Sequence, residues 1–457
     1  MELWAMNITI VGCGKIGLTI LEYLVNEGHN ITAIDNNRDV VSEITNIYDV
    51  ICVCGNGADC DTLSEANISK TDLFIAVTNS DELNMLSCFM AKSMGAHHTI
   101  ARIRNPEYND KSLYFMRKKL GLSMSINPEL LAAKELFDLL KLPVAAKIDT
   151  FSGRNFEMVE LKLKDDSKLD GMSLIQLRKK YQIKVLVCAV LRGNEIYIPD
   201  GNFVLKSGDR IGLTASPAEI LKFLRALGLT QKKARSVMIL GGSRTGYYLA
   251  KMLLNSGHSV KIIEKSRERC EELSDGLHDA VIINGDGAMQ ELLLEEGIGN
   301  SDAFVSLTGM DEQNILLSYF AASQNVSKVI SKVNRDEFKP IAEHLGLDSI
   351  ISPRKAIADI IVRYARGLEN SIGSKVETLY KIMDEKAEAL EFIVGSDCDI
   401  INKPLKELKL KNNILVAGIT RARKIIIPSG DDIIMPDDRV IILAAGWRIN
   451  DLSDIIE

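Results

Sequence analysis

Short apolar runs alternate with amphipathic stretches over the first 126 residues. Ile8-Thr-Ile-Val11, Ile31-Thr-Ala-Ile34, Val50-Ile-Cys-Val53, Leu73-Phe-Ile-Ala-Val77, Thr99-Ile-Ala-Arg102 and Met124-Ser-Ile126 read as strands. Most are apolar on both faces, as strands covered by helices on either side must be. Between the first two, Ile16, Ile20, Leu21 and Leu24 fall on one helical face. This alternation predicts an α/β fold, a doubly wound parallel sheet. Asn127-Pro128 then supplies an N-cap and a first helical residue, so a helix is expected through about Leu140.

The pattern changes after that helix. Glu157-Met-Val-Glu-Leu-Lys-Leu163 alternates as a half-buried strand does. A short helix (Ser173 to Lys180), an apolar strand from Val185, a turn at Arg192-Gly193-Asn194, Ile196-Tyr-Ile198, and Arg210-Ile-Gly-Leu213 complete a small α+β module.

The whole arrangement then repeats. Asn7-Ile-Thr-Ile-Val-Gly-Cys-Gly-Lys-Ile-Gly17 returns as Val237-Met-Ile-Leu-Gly-Gly-Ser-Arg-Thr-Gly246, and Gly28-His29 as Gly257-His258. Asp35 returns as Glu264, and Thr78-Asn-Ser-Asp-Glu-Leu-Asn84 as Thr308-Gly-Met-Asp-Glu-Gln-Asn314. Ser352-Pro353 repeats the helix start, with Gly367 as the expected C-cap. Leu390-Glu-Phe-Ile-Val394, Ile414-Leu-Val-Ala-Gly-Ile419, Ile427-Pro-Ser-Gly430 and Pro436-Asp-Asp-Arg-Val440 repeat the α+β module. The expected organisation is a nucleotide-binding unit at 6–126, a linker helix at 127–145 and a module at 146–230. It then recurs at 235–352, 353–370 and 371–457, with Gln231 to Arg235 as a polar joint.

Composition narrows the function. A net charge of −7 argues against nucleic acid as a partner. No apolar run approaches the roughly 20 residues that span a bilayer, and the N-terminus lacks a signal-peptide pattern, so a cytosolic chain is expected. Cys52, Cys54 and Cys60 lie close together, but no Cys-x-x-Cys pair or histidine completes a metal set, and no metal is expected. His29 and His258 read as solvated loop residues.

The chemistry concentrates in the glycine motif. Gly12-Cys13-Gly14-Lys15-Ile16-Gly17 follows a strand and opens a helix. Gly12 permits the tight turn, Gly14 lets backbone approach a pyrophosphate, and Gly17 lets helix and strand pack closely. The helix amides then face phosphate with the positive end of the dipole. Asp35 ends the second strand, where a carboxylate takes ribose hydroxyls. It favours NAD or an adenosine nucleotide over a 2′-phosphorylated one. In the second copy Gly241 and Gly246 keep the outer positions and Glu264 keeps the acid, but Ser243 replaces the middle glycine. Its Cβ predicts weaker binding or another nucleotide. Thr78 and Asn79 lie at the switch point, within reach of phosphate or ribose. Asp81 and Glu82 fit either a ligand or a helix N-terminus. Asp59 fits either an adenine edge or a helix cap. Arg102 and its counterpart Lys332 fit either phosphate neutralisation or a surface salt bridge. No catalytic set is apparent, and no catalytic residue is assigned.

The glycine fingerprint, Asp35, Ala76-Val-Thr-Asn-Ser-Asp-Glu82 and Ile100-Ala-Arg-Ile-Arg-Asn-Pro-Glu-Tyr108, followed by the module, resemble the RCK family (regulator of potassium conductance). Two such units in one chain are similar to the peripheral regulatory subunits of Trk potassium-uptake systems. The resemblance covers nearly the whole chain. It implies that Gly12, Cys13, Gly14, Lys15, Ile16, Asp35, Thr78, Asn79 and Arg102 line a first nucleotide site. It implies a second site at Gly241, Gly242, Ser243, Arg244, Thr245, Glu264, Thr308 and Lys332. Family members bind NAD(H) and also ATP or ADP. They assemble as a homo-oligomeric ring, typically a tetramer, beneath a membrane channel subunit of the TrkH or TrkG type. The resemblance thus implies a non-enzymatic regulator, peripheral on the inner membrane face. A nicotinamide-dependent oxidoreductase and a stand-alone nucleotide sensor remain the competing readings.

Overall fold

The computed structural model describes residues 5–142 apart from 107 and 109, then 145–151, 156–229, 234–369, 375–422 and 424–457. The chain opens with β1 (Asn7–Val11), α1 (Lys15–Asn26), β2 (Asn30–Asp35), α2 (Arg38–Ile47), β3 (Ile51–Cys54) and α3 (Cys60–Glu65). It continues with β4 (Leu73–Ala76), α4 (Asp81–Ser93), β5 (His98–Arg102), α5 (Asp110–Leu120) and β6 (Met124–Ile126). The six strands form a parallel sheet in the order β3-β2-β1-β4-β5-β6. The order reverses between β1 and β4, which creates a crevice at their carboxyl ends. Ile8, Ile10, Leu21, Leu24, Ile34 and Phe74 are fully buried around this sheet.

After α6 (Pro128–Lys141) come β7 (Lys147–Phe151), β8 (Phe156–Lys162), α7 (Leu174–Tyr181), β9 (Leu186–Arg192), β10 (Glu195–Tyr197), β11 (Arg210–Ala215) and α8 (Pro217–Leu227). These strands make an antiparallel sheet in the order β10-β9-β11-β8-β7.

The second parallel sheet follows, with β12 (Ser236–Leu240), α9 (Arg244–Asn255), β13 (Ser259–Glu264), α10 (Arg267–Gly276), β14 (Val281–Asn284) and α11 (Gln290–Glu295). Next are β15 (Ala303–Ser306), α12 (Asp311–Ser323), β16 (Lys328–Lys332), α13 (Lys339–His344), β17 (Ile350–Ile351) and α14 (Pro353–Glu369). Its order, β14-β13-β12-β15-β16-β17, repeats the first sheet. The chain ends with β18 (Lys375–Ile382), β19 (Ala387–Ile393), β20 (Ile414–Arg421), β21 (Lys424–Ile426) and β22 (Arg439–Ala445), ordered β18-β19-β22-β20-β21.

The chain divides into two compact units that cut across the repeat. One comprises the chain up to Ala132 together with Ser352–Ala365, and the other Ala133–Ile351 together with Arg366–Glu457. In the first unit, Tyr364 of α14 lies edge-on to His98 at the start of β5, with its hydroxyl 3.4 Å from His98 Nδ1. In the second unit the two antiparallel sheets share one core, which includes Phe156, Cys188, Met383, Ala389 and Ile441. A Cβ at Gly212 would lie 2.8 Å from Met383 Cε, and one at Gly418 would lie 2.4 Å from Phe156 Cζ. Each sheet thus spares a side chain where the other inserts one, and both β11 and β20 shift register beside that glycine.

Three expectations change. Gly367 does not cap α14, which continues to Glu369. His29 is buried rather than solvated, and His258 is half-buried, with its Nδ1 3.1 Å from the Leu253 carbonyl and its ring edge-on to Phe137. The strands β7 and β18, which edge the two antiparallel sheets, were not read from the chain. Of the polar joint, residues 231–233 lie outside the described residues.

Candidate functional site

The loop after β1 is shaped by two glycines that the protein itself requires. Gly12 has a φ of +89°, and a Cβ there would lie 2.8 Å from the Thr78 backbone. A Cβ on Gly17 would lie 2.0 Å from the Gly12 carbonyl oxygen. Gly14 differs: a Cβ there would meet no protein atom within 4 Å. Protein packing therefore does not account for it, and the space beside it is open. Gly14 caps α1 without a side-chain bond, so the amides of Lys15, Ile16 and Gly17 have no acceptor within the helix. They form a positive, donor-rich end suited to a diphosphate. The Lys15 side chain is exposed beside it, and Ile16 is half-buried.

Asp35 closes the other side. One carboxylate oxygen accepts from Cys13 N at 2.7 Å and the other from Asn37 N at 2.9 Å. The carboxylate is thereby held at the end of β2, against the glycine loop. Cys13 contributes only backbone, because its side chain is buried, and burial with Asp35 nearby pushes the thiol up to about 12. Asp59 caps α3 by accepting from Thr62 N at 2.9 Å.

Across the switch point the organiser is a residue that motif reading passed over. Asn84 is fully buried; its Oδ1 accepts from Thr78 N at 2.8 Å and Thr78 Oγ1 at 2.7 Å. Its Nδ2 donates to the Arg102 carbonyl at 2.9 Å. One side chain thus ties the end of β4 to the end of β5. Asp81 is more than a helix-terminal charge. It accepts from Arg104 N and Asn105 N, both at 2.8 Å, and pairs with Arg104 Nε at 3.3 Å. Asn79 is exposed, and its carbonyl accepts from Arg104. The signal for both organisers was present, since the Asp and the Asn recur at the same places in both copies of the Thr-led motif.

Arg102 is no surface salt bridge. It is buried and pairs with Glu129 at 3.3 Å, while its buried Nε has no hydrogen-bond partner among the described residues. Burial lowers its pKa, which Glu129 opposes. A buried guanidinium N–H without an acceptor is costly, and an anionic ligand oxygen at the strand end would satisfy it.

The second copy reproduces this frame with altered charges. Gly242 N bonds Glu264 Oε2 at 2.7 Å, and Ser266 N bonds Glu264 Oε1 at 2.8 Å. Asn314 repeats Asn84, accepting from Thr308 N at 2.9 Å and Thr308 Oγ1 at 2.7 Å and donating to the Lys332 carbonyl at 2.9 Å. Lys332 Nζ donates to the Leu307 carbonyl at 3.2 Å. Gly241 has a φ of +98°, and Gly246 packs under it, with a Cβ there 2.7 Å from the Gly241 oxygen. Ser243 caps α9 by accepting from Gly246 N at 3.4 Å, so one amide of the anion-binding end is already used. Arg244 is exposed at the helix start, and Thr245 is buried.

Among the described residues no group of carboxylates, histidines and cysteines could hold a metal ion. Nor, among them, is any helix long and apolar enough to cross a membrane.

Comparison with known proteins agrees with the doubled architecture. A model of the TrkA-N domain matches residues 8–128 and 237–353, and one of the TrkA-C domain matches 158–228 and 389–457. A Trk system potassium uptake protein TrkA homolog of Archaeoglobus fulgidus is 33% identical, over 98% of this chain and 100% of that protein. The Trk system potassium uptake protein TrkA of Vibrio alginolyticus is 30% identical, over 98% of each. Among solved structures, the GsuK RCK domain superposes with a TM-score of 0.65 at 16% identity, covering 98% of this chain and 94% of that one. The GsuK channel bound to NAD gives 0.63 at 16% identity, covering 98% and 78%.

Proposed function

The chain belongs to the TrkA family, and from that premise we propose that it is a non-enzymatic, nucleotide-responsive regulatory subunit of a Trk-type potassium transporter. NAD(H), ATP or ADP is its ligand, and a membrane subunit of the TrkH or TrkG type is its partner. The chain works as a homo-oligomeric ring, a tetramer, on the inner face of the membrane. The observation that carries this reading is the doubled corner, in which a glycine loop and a backbone-held carboxylate face each other at the switch point of both parallel sheets. The RCK-fold channel GsuK, solved with NAD and also with ADP, supports the ligand class.

The residues divide the roles between them. The amides of Lys15, Ile16 and Gly17 receive the diphosphate, Asp35 accepts from the ribose hydroxyls, and Arg102 balances charge from below. Gly242, Arg244, Thr245 and Glu264 do the same in the second copy, with Lys332 in place of Arg102. A nucleotide that fits one ring shape better than another shifts the ring toward it, and the docked membrane subunit follows. The work available is the difference in affinity between the two shapes.

Calorimetric titration of the full chain with NADH, NAD, ATP and ADP tests the sites, and nucleotide-dependent potassium flux through the reconstituted complex tests the role. Asp35→Ala should abolish binding at the first site and Glu264→Ala at the second, each with a loss of flux control. Nucleotide control that survives the double variant would refute the assignment.

A further inference from the structure

The two corners differ in a way that a shared role does not explain. One residue beyond the acid, the first copy has Asn36 and the second Lys265; five beyond, the first has Val40 and the second Arg269. Arg269 reaches back from the first turn of α10, and its Nε donates to the Gly242 carbonyl at 2.6 Å. The amide of the same residue holds Glu264 at 2.7 Å. A guanidinium therefore sits one peptide unit from the carboxylate that defines the ribose position. Its only other partner among the described residues is Glu272, which is largely exposed, and further N–H donors of the fork remain unused. On the other flank, Lys265 is exposed and pairs at 2.7 Å with Asp286 of the next loop, where the first copy has the neutral Asn56. Asp286 raises the pKa of Lys265, so this cation persists.

A carboxylate at the ribose corner holds a free hydroxyl, whereas a nearby arginine accommodates a phosphate; with both present, Glu264 takes the ribose hydroxyl that stays free and Arg269 the one that carries phosphate. Guanidinium forks match phosphate in a bidentate manner. Resting on the nucleotide-binding reading above, we propose that the second site takes an adenosine nucleotide carrying a phosphate on its 2′ or 3′ ribose hydroxyl. The first site takes the unphosphorylated ribose. Arg269 is the residue that determines the difference: it exchanges Glu272 for the ribose phosphate, and Lys265 adds a second positive charge at the rim. One chain would then read two chemically distinct nucleotide pools.

The test uses the full chain with one site silenced at a time. Gly14→Asp silences the first site, because a Cβ there meets no protein atom within 4 Å and the carboxylate brings a negative charge to the end that would receive the diphosphate; Ser243→Asp silences the second. Binding of 5′-ADP, adenosine 2′,5′-bisphosphate and adenosine 3′,5′-bisphosphate is measured by calorimetry. In Gly14→Asp, one of the bisphosphates should bind at least as tightly as ADP. Adding Arg269→Val, the first copy's residue, should weaken that bisphosphate by about tenfold or more and leave ADP nearly unchanged. Retained ADP binding shows that the variant is folded. Adding Glu272→Gln should tighten the bisphosphate. In Ser243→Asp, ADP should bind better than either bisphosphate. If the second site binds ADP but rejects both bisphosphates as the first does, or if Arg269→Val changes nothing, the specificity is wrong and nucleotide binding stands. If the second site binds none of the three, both readings fail there.

Discussion

The Lys328 ammonium, buried at the start of β16, donates at 2.7 Å to the Ala145 carbonyl just ahead of β7. A second 2.7 Å bond goes to Ser349 Oγ. Burial drives its pKa from an ordinary 10.5 down to about 7, and the nearby Asp348 offsets this only in part. The unfolded chain keeps the proton up to about 10.5, whereas the folded chain sheds it near 7. Between those values the unfolded state binds more protons, so stability rises with pH, by up to about 1.4 kcal/mol per pH unit from this residue. Below pH 7 the full cost of burying the charge is present. Urea unfolding from pH 7 to 10 measures the slope, and Lys328→Met should remove this contribution to it.

Asn84 makes its bonds where no water reaches. Asn84→Ala leaves the Thr78 amide and hydroxyl and the Arg102 carbonyl to find new partners, at a cost of about 3 kcal/mol. It should also weaken nucleotide binding at the first site while sparing the second. Asn314→Ala should do the reverse. Chemical denaturation paired with calorimetry separates the two effects.

Swapping the middle positions of the two glycine loops should trade stability against affinity. Gly14→Ser should cap α1 as Ser243 caps α9, raising stability by a few tenths of a kcal/mol and lowering first-site affinity. Ser243→Gly should free the Gly246 amide and raise second-site affinity. Gly12→Ala, by contrast, should cost about 2 kcal/mol or more, since both its φ and the Thr78 backbone exclude a side chain.

Arg192 grips Asp209 through two bonds of 2.8 Å, and Arg421 repeats the grip on Asp438 at 2.8 and 2.7 Å. Both aspartates are buried. Arg192→Met should strand the Asp209 charge and cost about 3 kcal/mol. Adding Asp209→Asn should recover most of that loss, which thermal unfolding of the three proteins would show.

The parallel sheets were legible because their strands are short apolar runs and their helices keep one apolar face. The carboxylate corner was legible because Gly12, Gly14 and Asp35 fall at fixed places on one strand-turn-helix-strand passage. The Asn84 hub left a trace in its recurrence as Asn314, but its bonds did not, because a buried asparagine inside a helix looks in sequence like an exposed one. The Arg102–Glu129 pair joins residues far apart in the chain, and its burial depends on how α6 lies against β5. Strand β7 escaped notice because Lys147, Asp149 and Thr150 dilute its alternation. Strand β18 escaped because a bulge between Val376 and Thr378 breaks its period. Arg269 went unread because only the folded helix α10 brings it back onto the glycine loop.

The ownership of the linker helices sets a limit on how this chain can be divided. The segment Ser352–Ala365, written at the end of the second repeat, completes the compact unit built by the first, and Ala133 onward leaves the first repeat for the other unit. A protease cut between the repeats would leave two fragments that still complement each other. A gene truncated at the same place would express a first half with its Tyr364 neighbour missing and His98 bared to solvent. The duplication is therefore no longer a pair of interchangeable copies: each compact unit is built with a segment written in the other repeat.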